Sequence, residues 1–252
     1  MKILITGSEG LLGKLTQEAL INLGEISGID IKGNPSVDLL NDPILPYFKD
    51  IESVVHLAAH PLPWITPKEA KENVDMTYNV LEACRISGVK RIVYASSINV
   101  YDIKNLYPKR RITAKTPATG NTKTNWKYGN GEGHFYPMSK IACEAMVNAY
   151  CRQNNIQGIN LRFGCVTPND IPYKNEPEDN AAWLGHIDFK EIIKRAIEFQ
   201  GLTSLTCVSN NEEKFVDIQP LIDKLGYFPM QNSESKNHSL INLEELKKIS
   251  SQ

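Results

Sequence analysis

Short apolar runs alternate along this chain with longer stretches in which apolar residues recur every three or four positions. Lys2 to Thr6, Glu25 to Asp30, Ser53 to Leu57, Arg91 to Ser96 and Gly158 to Arg162 have the length and apolar density of buried strands. Leu11 to Leu23, Pro67 to Ser87 and Met138 to Gln153 carry the helical period. Strands separated by helices of this size need crossover connections, which predicts a parallel sheet covered on both faces, a doubly wound α/β fold. After Gly164 the pattern gives way to proline- and asparagine-rich turns, a helix near Phe189 to Phe199, a short strand at Leu202 to Val208 and a helical tail. That change predicts a main domain over 1–164 and a small substrate-binding lobe over 165–252, with a loosely held polar end from about Gln231. The stretch from Asp102 to Gly133 is also irregular, and its length predicts a functional lid or a disordered loop.

Composition narrows the partners. Lys plus Arg number 28 against 29 Asp plus Glu in 252 residues, so no net field recruits nucleic acid or a membrane surface. Within the irregular stretch Lys104, Lys109, Arg110, Arg111, Lys115, Lys123 and Lys127 outnumber Asp102 and Glu132, which reads as a solvated charge run or as a screen for an anionic substrate. Five cysteines, at 84, 143, 151, 165 and 207, lack CxxC spacing and predict reduced thiols of a cytoplasmic protein, without disulfides or a metal site. The opening MKILITG is too short for a secretory leader, and no window approaches the ~18 apolar residues of a membrane span.

The first predicted strand runs directly into TGSEGLLG, in which Gly7, Gly10 and Gly13 are spaced as GxxGxxG while a helix opens through Leu11 and Leu12. Glycines there let the backbone turn sharply and approach a pyrophosphate, and the free amides and dipole of the helix start favour its charge. Asp30, at the end of the second predicted strand, stands where a carboxylate binds the adenine ribose hydroxyls. It would repel a ribose phosphate, so NAD is expected over NADP, a preference that Lys32 moderates.

Tyr136 precedes Lys140 by four residues, one helical turn on the same face. Ser96 and Ser97 close the fourth predicted strand, at the sheet edge where open α/β folds bind ligands. A phenol is a poor base at neutral pH, and its pKa must fall by ~3 units, about 4 kcal/mol, to become useful. The Lys140 ammonium and an oxidised nicotinamide are both expected to favour the phenolate, with Ser97 bonding the same substrate oxygen.

These residues, with VDLLND at 37–42, VVHLAA at 54–59, ENVDMTYNVLEA at 72–83 and ASSINVY at 95–101, resemble an extended short-chain dehydrogenase/reductase of the NAD-dependent epimerase/dehydratase family. The resemblance spans most of 1–165 and implies an NAD-binding Rossmann domain there. It implies that Asp38 and Leu39 lie near the adenine, that Leu57, Ala58 and Ala59 lie beside the cofactor, and that Asn73 supports the active-site backbone. Ser97, Tyr136 and Lys140 would be the catalytic set, with Tyr136 and Lys140 also touching the cofactor. Within the family the chain is similar to uronate dehydrogenases, which oxidise the anomeric carbon of a sugar acid. It departs from them at three expected substrate contacts: Cys165 replaces a serine, Lys174 a carboxylate-binding arginine and Asn99 a histidine. A lysine attracts a carboxylate without the two-pronged fork of arginine.

The expectation is therefore an NAD-dependent dehydrogenase acting on a sugar or sugar acid, in a homodimer formed through the two long helices. Nucleotide-sugar epimerases are the alternative, although they usually carry a larger C-terminal lobe than the roughly ninety residues after Gly164. Dehydratases place an Asp-Glu pair where this chain has Ile98 and Asn99. A non-catalytic NAD-binding regulator is the rival from another class. Structural roles are expected for His56 and His60, for Cys84, Cys143 and Cys151 in the core or an interface, and for Tyr101 as a loop anchor. Pro61 to Pro63 and Trp64 are expected to form a loop over the site, and His134 stands close to Tyr136.

Overall fold

Strand β1 (Lys2–Thr6) sends Ile3 and Ile5 to one face of a sheet and Leu4 to the other, and all three are fully buried. Such a strand has no solvent face and needs helices on both sides. The computed structural model describes residues 1–62, 65–120, 127–128, 131–132, 134–173 and 177–234. After β1 come α1 (Leu11–Leu20), β2 (Glu25–Ile29), β3 (Ser53–His56), α2 (Pro67–Ser87), β4 (Arg91–Ser97) and α3 (Ile103–Leu106). They are followed by β5 (Lys127–Tyr128), β6 (Gly131–Glu132), α4 (Phe135–Asn154), β7 (Gln157–Phe163), α5 (Pro177–Ala181), α6 (His186–Ala196), β8 (Leu202–Cys207) and α7 (Gln219–Leu225). Six strands pair in parallel in the order β2-β1-β3-β4-β7-β8, while β5 and β6 form a separate antiparallel pair.

The period of two divides the core. Ile3, Ile5, Val55, Val93, Leu161 and Leu205 meet α1, α6 and α7 on one face, and Leu4, Val54, Ile92 and Tyr94 meet α2 and α4 on the other. Helix α2 has the limits its sequence predicts because Thr66 and Glu69 form a reciprocal cap, Pro67 opens the first turn and Gly88 closes the last in a left-handed conformation. Helix α4 begins three residues earlier than its apolar period suggests, which takes Tyr136 into its first turn.

The segment after Gly164 is part of the same sheet. Strand β8 pairs with β7 along its length, and α6 packs beside α1, so the division expected at 164/165 does not separate two sheets. At Gln231 itself the chain is firmly held, where a loose end was expected to begin. Gln231 is buried, its Oε1 accepts from the amides of Ile187 (2.8 Å) and Asp188 (3.3 Å) at the start of α6, and its Nε2 donates to Asp170. Residues 235–252 lie outside the described residues. The cations of the irregular stretch are partly neutralised by later segments, Lys104 by Glu178 at 3.3 Å and Arg111 by Asp217 at 3.3 Å. Its chain is anchored by the bridge between Ile112 and Val216, so an open electrostatic screen is not what Lys104 and Arg111 form. Lys123 and the Lys127 side chain lie outside the described residues. Among the described residues no helix is long and apolar enough to cross a membrane.

Asp188, fully buried, ties the last strap to α6: it accepts from Tyr227 Oη (2.6 Å), Ser209 Oγ (2.6 Å) and the amides of Met230 (2.7 Å) and Gln231 (3.0 Å). Asp188→Ala strands four donors in a dry environment and is expected to cost about 4 kcal/mol, read as a lower urea midpoint.

Candidate active site

After β1 the chain turns to one side, to β2, and after β2 it crosses to the other side, to β3. That reversal opens a crevice at the carboxyl ends of β1 and β3, where open α/β sheets bind ligands. The glycine turn fills its floor. Gly7 has φ +75° and packs so tightly on the loop after β3 that a Cβ would lie 2.7 Å from the Ala58 nitrogen. A Cβ on Gly13 would lie 2.3 Å from the Gly7 carbonyl, so helix and turn are in direct backbone contact. Above Gly10 there is room, with Gly7 O at 3.5 Å as the nearest atom to a Cβ, and the start of α1 at Leu11 and Leu12 has no side-chain cap on its amides. Asp30 is oriented at the rim: its Oδ2 accepts from the Glu9 amide at 3.0 Å and its Oδ1 from the Lys32 amide at 2.8 Å. Each carboxylate oxygen keeps a lone pair for another donor. An uncapped helix start, a glycine floor and this carboxylate fit a dinucleotide diphosphate and its ribose.

The side walls hold the other expected cofactor residues. Asp38 turns on itself, bonding the Leu40 amide and the Asn41 side chain, and these bonds hold its carboxyl below the usual range. Leu39 is buried, and Asn79 holds its carbonyl. Leu57, Ala58 and Ala59 are partly exposed beyond β3, with the Leu57 amide bonded to the Thr6 carbonyl. Asn73 reaches no open surface: its side chain accepts from the His60 amide (2.7 Å) and donates to the His60 carbonyl and Ser139 Oγ. It clamps the loop after β3 between α2 and α4.

Tyr136, Lys140 and Ser97 meet at the end of β4. Tyr136 is 7% exposed and Lys140 4%, and the Lys140 ammonium donates to the Ala95 carbonyl at 2.8 Å. The same nitrogen stands 5.1 Å from the centre of the Tyr94 ring and 5.7 Å from that of Tyr136. Ser97 stands beside the Tyr136 side chain, and its Oγ accepts from the Asn99 amide at 3.1 Å. Burial pushes the Tyr136 phenol up to about 12, only partly opposed by the Ser97 hydrogen bond, and burial pulls Lys140 down to about 8. The protein's own groups therefore leave the phenol protonated at neutral pH.

His56 links the cradle to this centre. Its Nδ1 bonds Thr6 at 2.7 Å and its Nε2 bonds Thr77 at 3.2 Å, and burial, with Lys140 nearby, lowers it to about 3. It is a neutral structural histidine, as expected. His60 pairs with Glu72 at 2.8 Å. Of the expected substrate contacts, Asn99 is partly exposed beside Ser97. Cys165 is half-buried near Tyr136, and burial with the adjacent Asp179 holds its thiol well above the usual range. Lys174, Pro63 and Trp64 lie outside the described residues. His134 opens α4 and stacks on Phe135. Cys84, Cys143 and Cys151 are buried thiols between α2, α4 and the sheet.

Beneath the centre lies a charge network that sequence reasoning missed. Glu144 accepts from Ser96 and Arg162, and Arg162 Nη1 donates at 2.6 Å to Tyr101, whose hydroxyl also bonds Thr206 at 3.0 Å. Tyr101 is thus the anchor its position suggests. An arginine inside the apolar run INLRF was the available signal, since a charge in such a strand requires a buried partner.

Comparison with known proteins agrees with this geometry. The model of the NAD dependent epimerase/dehydratase family matches residues 3–178. An L-arabinose 1-dehydrogenase (NAD(P)(+)) from Haloferax volcanii is 27% identical over 92% of this chain and 97% of its own. A uronate dehydrogenase from Pseudomonas putida is 23% identical over 93% of this chain and 85% of its own. The crystal structure of a glucuronic acid dehydrogenase from Chromohalobacter salexigens superposes with a TM-score of 0.74 at 25% identity, covering 100% of this chain and 89% of that one.

Lys140 has a measurable consequence for stability. Its amine falls from 10.5 to about 8 on folding, so below pH 8 the folded state carries a cation held at a cost of roughly 3 kcal/mol. Between pH 8 and 10.5 the unfolded chain binds the extra proton, and stability contributed by this group rises with pH. Lys140→Met is expected to melt higher than the parent at pH 7, with the gap closing as pH rises through that window.

Proposed function

The chain belongs to the NAD dependent epimerase/dehydratase family, and we propose that it is an NAD-dependent dehydrogenase acting on a hydroxyl carbon of a sugar or sugar acid. The observation that carries this reading is the meeting of Tyr136, Ser97 and Lys140 at the sheet edge that also carries the glycine cradle. Gly7, Gly10 and Gly13 with the amides of Leu11 and Leu12 hold the diphosphate, and Asp30 holds the adenine ribose. Bound NAD supplies the hydride-accepting carbon and, when oxidised, a positive ring charge. Tyr136 removes the substrate hydroxyl proton at its Oη, a step for which the phenol must fall from about 12. Ser97 bonds the same hydroxyl and fixes its direction. Lys140 contributes a cation one turn from the phenol and holds the nicotinamide ribose. Asn99 and Cys165 contact the sugar.

Dehydrogenation is favoured over epimerisation by the near-complete coverage of the arabinose and uronate dehydrogenase relatives. We also assign the chain to a reducing, cytoplasmic compartment, a reading supported by its five free thiols, and to a homodimer through α2 and α4. Those helices pack together on one face and expose Tyr78, Ile86 and Met138. Sedimentation equilibrium that returned the monomer mass at micromolar concentration would refute the dimer.

The test of the activity is NADH absorbance in mixtures of the protein, NAD and a panel of aldoses, uronates and nucleotide sugars. Net NADH is expected with an aldose or uronate. Tyr136→Phe is expected to lose roughly 1,000-fold in kcat with NAD affinity retained. Turnover without net NADH would make the protein an epimerase, and full activity of the Phe variant would sink the mechanism.

A further inference from the structure

Glu144 stands one turn beyond Lys140 on the same face of α4. Its Oε1 accepts from Ser96 Oγ at 2.5 Å and from Arg162 Nε at 2.9 Å, and its Oε2 from Arg162 Nη2 at 2.7 Å. This is the two-pronged guanidinium–carboxylate arrangement, with the carboxylate buried and both partners drawn from strands. Through Tyr101 and Thr206 the bonds continue to β8 and to the turn after β4. A buried ion pair gives little net stability relative to apolar side chains of the same volume, so stability is a weak reason for its presence. Position is a stronger one. Ser96 adjoins Ser97, α4 carries Tyr136 and Lys140, and the carboxylate joins that helix to that strand end. A slide of one element past the other by about an ångström would change the reach between the phenol and the serine, an error that costs a reacting geometry on the order of a hundredfold.

We propose that Glu144, gripped by Arg162, is a positioning residue for the dehydrogenase: it locks α4 onto the end of β4 so that Tyr136 and Ser97 meet on one substrate oxygen. The inference rests on the function proposed above. The groups facing the Lys140 ammonium are Tyr136, Cys143 and Glu144 on its own helix, the Tyr94 ring and Ala95 carbonyl on β4, and neutral His56 on β3. Glu144 is the anion among them.

Glu144→Gln preserves the volume and the Ser96 bond while removing the charge. It is expected to lower kcat about tenfold or more while the KM for the sugar and NAD affinity, read by protein fluorescence quenching, stay within about threefold. The alkaline limb of the kcat–pH profile is expected to move to lower pH, because Lys140 loses the anion that favours its charged form. Glu144→Asp, which restores the charge, is expected to return the limb toward its original position. A purely structural role would lower the melting temperature with no selective loss of kcat and no movement of the limb, and that result overturns the proposal. If Glu144→Gln fails to fold, Ser96→Ala detaches the strand from the carboxylate and leaves the ion pair intact. A kcat loss of about threefold or more at unchanged NAD affinity then supports the proposal, and unchanged kcat overturns it. Tyr136→Phe run in parallel separates the two readings. If that variant turns over normally, the underlying mechanism fails; if it is inactive while Glu144→Gln matches the parent, only the positioning role does.

Discussion

A lysine cation held nearly out of water at the end of a parallel sheet is the constraint around which the site is built. An ammonium in that place must be given acceptors or surrender its proton. The fold gives it the Ala95 carbonyl at 2.8 Å, the face of Tyr94 and, one turn along its helix, the Glu144 carboxylate. Burial still draws the amine to about 8, so the group keeps its charge at neutral pH by a modest margin. Each supporting group also fixes an element: Ala95 the end of β4, Glu144 the placement of α4 and, through Arg162, the position of β7.

The cofactor cradle is joined to this centre by contacts that leave no slack. Gly7 presses on Ala58, Thr6 bonds His56, and His56 reaches Thr77 on α2 while facing Lys140. Because burial holds His56 neutral far below physiological pH, it acts as a rigid spacer without adding a second positive charge beside the lysine. Asn73 performs the same service from the other side, pinning the His60 backbone to α2 and Ser139 of α4. Misplacement of a dinucleotide relative to the phenol would require breaking several of these bonds together.

The segment after Gly164 shows how tertiary context can reassign a region. Its composition suggests a separate lobe, yet β8 completes the sheet and α6 covers it beside α1. The same segment supplies Glu178 and Asp217 to Lys104 and Arg111, so part of a stretch that looks electropositive in one dimension is neutralised in three. Gln231, in a polar run with no visible pattern, caps α6 because its backbone is gripped by Asp188.

What the chain alone determined is what depends on near neighbours. The order of strands and helices, the glycine turn ahead of α1, the capped limits of α2 and the one-turn separation of Tyr136 and Lys140 all follow from local periodicity and backbone preference. The charge state of the centre was not legible in that way. Burial pushes the Tyr136 phenol up to about 12, because the dielectric around it is set by packing from α2, β4 and the turns beyond the sheet. Glu144 and Arg162 are eighteen residues apart, and their pairing with each other, with Ser96 and with Tyr101 exists only once β4, β7 and α4 are assembled. Electrostatic energy depends on distance and burial, quantities that separation along a chain does not contain.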